Sequence, residues 1–318
     1  MKQTRRQFVR TLFVATAQAT ALGSMLPRRL FAAEAERGGL NFLILGDWGR
    51  NGEKDQRDIA EQMGIAAQAM QAKFVISVGD NFYENGVKSV SDPQWQNSFE
   101  NVYTAPALQV PWHVVLGNHD YHGNCDAQIE YSKTSPRWNM PARYFSRTEK
   151  IDGGSLVEFF FLDTTPMKSG DDQAIPLLHL HSQDNSKQLA WFEAALAAST
   201  APWKIVIAHH PVYSGGEHGD TPYVVKHILP LLEKHQVQAY VNGHDHDLQH
   251  LLAGKVNLFC SGAGSKPRKT GNNPHTKFAK GSCSGFIAAA LSAEQLDVRM
   301  IDDQGKLLYT ATVPRQTL

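Results

Sequence analysis

The sequence predicts an α/β domain whose parallel strands deliver their carboxyl ends to one site. Three observations predict it. Five apolar, β-branched runs each end in a small residue followed by aspartate, asparagine or histidine. Helical periodicity fills several of the intervals between them. Toward the carboxyl end the pattern changes to short strands joined by turns. Short continuous apolar runs read as strands buried on both faces, and their alternation with helices indicates parallel pairing.

The first 35 residues read as an address. Arg5 and Arg6 lie in a basic start with Phe8 two positions on. A weakly apolar stretch rich in alanine and threonine follows, and then the small-x-small pattern Ala33-Glu34-Ala35. This is similar to a bacterial twin-arginine signal, which implies passage of a folded chain through the twin-arginine export machinery to the periplasm or outside. The stretch is short and only weakly apolar for a span, so cleavage is expected and no stable membrane span afterwards. Residues 36–318 then form one domain, since no linker divides them.

Within that domain the strands come in order. Residues 41–46 lead to Asp47, 74–79 to Asp80, and 112–117 to Asn118 and His119. Residues 203–208 lead to His209 and His210, and 237–243 to His244, Asp245 and His246. Residues 55–72 carry Ile59, Met63, Ala66, Ala67 and Met70 at helical spacing. The helix predicted over 186–198 opens on Ser186 as its cap and aligns Leu189, Phe192 and Leu196. A third, over 222–236, contains Pro230, which predicts a kink. Residues 256–260, 285–291, 295–301 and 307–312 read as an antiparallel extension, with a turn at Asp302-Asp303-Gln304-Gly305. Ligands of such folds gather beyond the carboxyl ends of the strands. All five polar clusters lie there, although they span about two hundred residues.

Composition narrows the function. Apolar residues make up 42% of the 318, enough for a large core. The formal charge is zero, but residues 1–35 hold six basic side chains and one acidic. The remaining 25 basic and 30 acidic side chains give −5, which excludes a general nucleic-acid binder. Three cysteines without zinc-site spacing (Cys125, Cys260, Cys283) read as buried small apolar groups with one bridge at most.

The clusters supply carboxylates, a tyrosine, an asparagine and imidazoles. Hard oxygen donors suit a ferric ion, and imidazoles suit zinc, iron or manganese. In this order, Gly46-Asp47-Trp48-Gly49, Gly79-Asp80-Asn81-Phe82-Tyr83, Gly117-Asn118-His119-Asp120, His209-His210-Pro211 and Gly243-His244-Asp245-His246 resemble the metallophosphoesterase superfamily. Gly49 stands where most members carry a histidine, and Tyr83 is supplied instead, as in the purple acid phosphatases. The stretches GNHDYHGNCDAQIEYS (117–132), RWNMPARYF (137–145), FLDT (161–164), PVYSGGEHG (211–219), GHDHDLQHL (243–251) and SGAG (261–264) are similar to the small tartrate-resistant type. The resemblance covers roughly residues 40 to 315.

That resemblance implies an α/β/β/α sandwich of two mixed sheets flanked by helices. It implies Fe(III) held by Asp47, Asp80, Tyr83 and His246, and a divalent ion (iron, zinc or manganese) held by Asp80, Asn118, His209 and His244. His119 and His218 would face the phosphate as catalytic histidines, with Glu217 supporting His218. The family's disulfide is absent, since Tyr223 stands in place of one cysteine. The implied activity is acid hydrolysis of phosphate monoesters, small molecules or phosphopeptides, by a metal-bound hydroxide. Free tyrosine has a pKa near ~10, so ionising it in acid needs a strong Lewis acid such as Fe(III). A ferric phenolate absorbs visible light, so the protein is expected to be coloured.

Each residue has a plainer alternative. Asp47 and Asp80 alone would read as caps or turn residues, and Tyr83 as a packed aromatic. Only one of the adjacent His209 and His210 should bind metal, with His210 behind it. His179 and His181 invite a metal reading but sit in a loop where a solvent role is favoured. His122 suits a place behind the ligands; His113, His227, His235, His250 and His275 read as bystanders. Lys266, Arg268 and Lys269 are either a solvated loop or a rim that attracts anions. Two rival functions share the site: a phosphodiesterase or nucleotide hydrolase, and a non-catalytic metal- or phosphate-binding protein. Tyr83 with Gly49 disfavours the first, and His119 with His218 the second.

Overall fold

In the computed structural model, residues 39–151, 153–167 and 184–316 are described. Strands β1 (Leu40–Leu45), β2 (Phe74–Ser77), β3 (Trp112–Val114) and β4 (Trp138–Asn139) run parallel in one sheet. That sheet is completed by antiparallel β12 (Gly285–Leu291), β13 (Gln295–Asp302) and β14 (Leu307–Pro314), in the order β14-β13-β12-β1-β2-β3-β4. The second sheet joins β5 (Phe145–Lys150), β6 (Leu156–Phe161), β7 (Trp203–Ile207), β8 (Ala239–Asn242), β9 (Leu248–Ala253), β10 (Val256–Ser261) and β11 (Thr276–Lys280). Its order is β11-β9-β10-β8-β7-β6-β5, with β6, β7, β8 and β10 mutually parallel. Both sheets are mixed, as expected.

Side-chain alternation builds the layers. Successive strand residues point to opposite faces. Phe42 and Ile44 of β1 pack with Phe74, Ile76, Phe159, Phe161, Ile205 and Ile207 between the sheets. Leu43 and Leu45 face the other way, onto Ile59 and Met63 of helix α1 (Gln56–Met70) and a cluster of Trp48, Trp95, Phe99, Trp112 and Trp138. Outside the second sheet, Phe160, Val206, Tyr240 and Leu258 meet Phe192 and Leu196 of a later helix, together with Val224 and Leu232. The result is the α/β/β/α sandwich, and burial on both faces is why these strands read as unbroken apolar runs.

The short helix α2 (Cys125–Tyr131) is capped by Asn124. Helix α3 (Asn185–Ala198) is capped not by Ser186 but by Asp184, whose side chain accepts from the backbone N–H of Ser186 and Lys187. A carboxylate two residues earlier serves the exposed amides better than the serine inside the first turn. The helix expected over 222–236 is two, α4 (Pro222–His227) and α5 (Leu229–Lys234), broken at Ile228 where Pro230 offers no N–H. Strands β4, β5, β6, β9 and β11 were not expected. Edge strands β5 and β11 are exposed or half-buried throughout and carry Arg147, Lys277 and Lys280, the polar dress that deters edge pairing.

All three cysteines are free thiols, so no bridge is formed. No helix among the described residues is long and apolar enough to cross a membrane. The arginine-pair segment, and His179 with His181, lie outside the described residues.

Candidate metal centre

Five parallel strands end where the two sheets close on each other. Hydrogen bonds cross between them here: His209 Nδ1 donates to the Val78 carbonyl at 2.9 Å, and Ser261 Oγ to that of Ile44 at 2.9 Å. The backbone is strained at three of the expected ligand positions. Asp47, Asp80 and His244 adopt left-handed φ of 60°, 49° and 71°, a region that costs a non-glycine residue energy and collects at functional sites. Close approach explains the preceding glycines. A Cβ on Gly117 would lie 2.2 Å from Asp80 Oδ1 and 2.3 Å from Asp80 N.

The side chains expected as ligands converge in two groups sharing Asp80. In the first, Tyr83 Oη lies 2.9 Å from Asp47 Oδ1, 2.9 Å from Asp80 Oδ2 and 3.0 Å from His246 Nε2. In the second, His209 Nε2 lies 3.2 Å from Asn118 Oδ1, 3.2 Å from His244 Nδ1 and 3.4 Å from Asp80 Oδ1. Asn118 is half-buried and the other six are buried. Imidazole orientation is set from behind. His246 Nδ1 donates to the Lys266 carbonyl at 2.7 Å and His209 Nδ1 to Val78, which turns each Nε2 lone pair toward its group. His210 is anchored on Thr164 Oγ1 at 3.0 Å, while His209 meets the shared carboxylate.

This donor set fits metal ions. Tyr83 has one proton, and its three neighbours are all acceptors once His246 Nδ1 carries the ring hydrogen. Two acceptors remain in a buried space, where an unsatisfied charged group is costly. A cation satisfies all of them. Groups of three ligand-capable residues arise independently at Asp47, Asp80 and His246 and at His209, His210 and His244. Gly49 is required by the same geometry: a Cβ there would lie 1.9 Å from the Asn81 carbonyl, so no histidine can stand at that position.

Residues 40–248 match the family model described as calcineurin-like phosphoesterase. Purple acid phosphatase 3 of Arabidopsis thaliana is 39% identical over 298 residues, covering 89% of this chain and 80% of that protein. Tartrate-resistant acid phosphatase type 5 of Sus scrofa is 37% identical over 297 residues, 87% of each chain. The chain belongs to the purple acid phosphatases. Among solved structures, GAP50, "the anchor in the inner membrane complex of Plasmodium", superimposes with a TM-score of 0.78 at 26% identity, covering 88% of this chain and 90% of that one.

Around the expected ligands of this purple acid phosphatase stand groups the sequence did not single out. Asp120 accepts from the N–H of Gly117 at 2.9 Å and of Asn81 at 3.1 Å, tying the second and third clusters together. Burial and the charge of Asp80 push its carboxyl up to about 6. Asp245 accepts from His218 N at 2.9 Å and from Ser214 Oγ, which orders the loop carrying His218. Arg50 lies 3.6 Å above the Tyr83 ring. Only membership of the motifs themselves, as with Asp120 and Asp245, signalled them.

The two expected catalytic histidines flank the ligands. His119 Nδ1 lies 2.6 Å from the Glu84 carbonyl, and its ring packs at 4.4 Å on Tyr83. His218 is exposed and stacks at 4.1 Å on His244. Glu217 was expected to support His218; Arg268 stands between them, 3.6 Å from Glu217 Oε2 and 3.0 Å from His218 Nε2.

Protonation of the metal-free site gives a prediction. Burial opposes a charged His209, but Asp80 raises its pKa to about 9. Burial also pushes Asp47 well above the usual carboxylate range. A metal ligand at either position must first lose its proton, so if these two side chains serve, metal uptake strengthens as pH rises toward 9 and releases protons. Titration calorimetry of the metal-free protein at pH 6.5 and 8.5, in buffers of different ionisation enthalpy, is expected to show both effects. Equal affinity without proton release would contradict the assignment.

Proposed function

We propose that Asp47, Asp80, Tyr83 and His246 hold a ferric ion, and Asp80, Asn118, His209 and His244 a divalent iron, zinc or manganese ion. The chain is a binuclear metal-dependent acid phosphatase acting on phosphate esters. One observation carries the ligand assignment: the Tyr83 hydroxyl lies within 3.0 Å of two carboxylates and a neutral imidazole nitrogen. When bound, such a metal pair binds phosphoryl oxygens and makes water a nucleophile at or below neutral pH.

The protein's own residues do the rest. The Asp80 carboxylate reaches both groups and keeps them adjacent. Burial, and then the charges of Asp47 and Asp80, raise Tyr83 well above its usual pKa, so ionising it calls for the strongest available Lewis acid. Burial, with Arg268 nearby, lowers His246 to about 3 and keeps a neutral lone pair even in acid. His119, anchored through Nδ1, offers Nε2 to protonate the leaving alkoxide. His218, on its ordered loop and stacked on His244, is proposed to steady the phosphoryl oxygens.

Phosphate monoesters, from small molecules to phosphopeptides, are the proposed substrates. Export through the twin-arginine route, with removal of residues 1–35, is proposed on the strength of Arg5-Arg6 and the Ala-rich stretch. GAP50 favours a second reading, a non-catalytic binding protein on the same sandwich, since its printed role is that of an anchor. A complete donor set flanked by two histidines favours catalysis. Metal analysis, an absorption spectrum and hydrolysis of a monoester and a diester at pH 5 separate the readings. A coloured, monoester-active protein is expected; a metal-loaded but inert one belongs with binding proteins. His119→Ala is expected to cut turnover about 100-fold at unchanged metal content. Undiminished turnover would remove that histidine from the reaction.

A further inference from the structure

The segment after Ser261-Gly262-Ala263-Gly264 folds back over the ligand groups. Arg268 N–H donates to the His246 carbonyl at 2.8 Å, and the Lys266 carbonyl holds His246 Nδ1. The Arg268 side chain therefore stands at the site and not on a distant loop. Its Nη1 lies 3.0 Å from His218 Nε2 and 3.6 Å from Glu217 Oε2. Through His218, which stacks on His244, the guanidinium is one ring away from the divalent-ion group. Its side chain is 33% exposed and that of Glu217 is 53% exposed, so both open to solvent. Among the described residues, no hydrogen bond is made by its Nε or Nη2. A planar fork of donors beside an anion site, with an exposed carboxylate as its resting partner, suits a charged oxygen arriving from solvent.

We propose that Arg268 binds the substrate's phosphoryl group and makes this site prefer phosphate monoesters to diesters. The inference rests on the phosphatase reading above. A monoester has three terminal oxygens and up to two negative charges, whereas a diester has two and one. Only the monoester has a third charged oxygen left for the guanidinium. Glu217 tempers the interaction by pairing with Arg268 when no anion is bound, so the two side chains act with opposite sign.

The test uses the metal-loaded protein and three variants, Arg268→Ala, Arg268→Lys and Glu217→Gln. Inorganic phosphate binding is measured by titration calorimetry. Values of kcat and KM are measured for a monoester and a diester with the same leaving group. Arg268→Ala is expected to weaken phosphate binding about 10-fold or more, and Arg268→Lys to recover part of it. Glu217→Gln is expected to tighten it by roughly 3-fold. The monoester should lose about 10-fold in kcat/KM, mainly through KM, and the diester less than about 3-fold. Equal losses on both esters, or phosphate binding indifferent to Arg268→Ala, would overturn the proposal. Should the wild type hydrolyse neither ester, the phosphatase reading is what fails, and the phosphate titration alone decides the role of Arg268.

Discussion

Tyr83→Phe is expected to bleach the visible band, lower the iron content and cut turnover at pH 5 by about 100-fold or more. The substitution removes one oxygen and little else. The ring keeps its packing against His119 and its place beneath Arg50. The oxygen, however, is the atom that Asp47, Asp80 and His246 all face within 3.0 Å. Without it the first group loses an anionic donor and the only one able to give a phenolate transition. Absorption and metal analysis of the purified variant check this. A variant that stays coloured with full iron would show that another residue carries the transition.

Gly49→Ala is expected to cost about 3 kcal/mol or more and to lower Tm by roughly 5–10 °C. Its Cβ would sit 1.9 Å from the Asn81 carbonyl and 3.1 Å from Phe82 Cα, both backbone atoms that cannot rotate away. The Gly49 carbonyl also accepts from Tyr83 N–H at 2.8 Å, so the same push displaces the tyrosine. Lost stability and lost colour should therefore appear together, where Tyr83→Phe loses colour, iron and turnover without a comparable loss of stability. Calorimetry with an absorption spectrum separates the two. An alanine variant melting with the wild type would show that the loop yields freely.

The contrast between these two variants shows what could be read in the chain and what could not. Gly49 and Tyr83 were legible as a paired change within two motifs, but the steric reason that pairs them, the Asn81 carbonyl, was not. The cap of α3 was misplaced by two residues because serine and aspartate both suit that role and only the chain's entry angle chooses. Strand β11 was missed because its pairing with β9, more than its own polar composition, makes it a strand.

The sequence alone determined the strand runs and the order of the clusters, and its resemblance to a known family supplied the two-sheet architecture and the set of residues that meet. The runs and clusters follow from local signals: apolar segments buried on both faces, a small residue, glycine or Ala208, at the end of each, and donors one to four positions beyond it. Only the tertiary structure decided which atoms face which. The imidazole of His209 is turned by a carbonyl 131 residues away, and Arg268 reaches His218 across 50. Hydrogen bonds between segments so far apart depend on how the two sheets close on each other, and no local pattern encodes that closure.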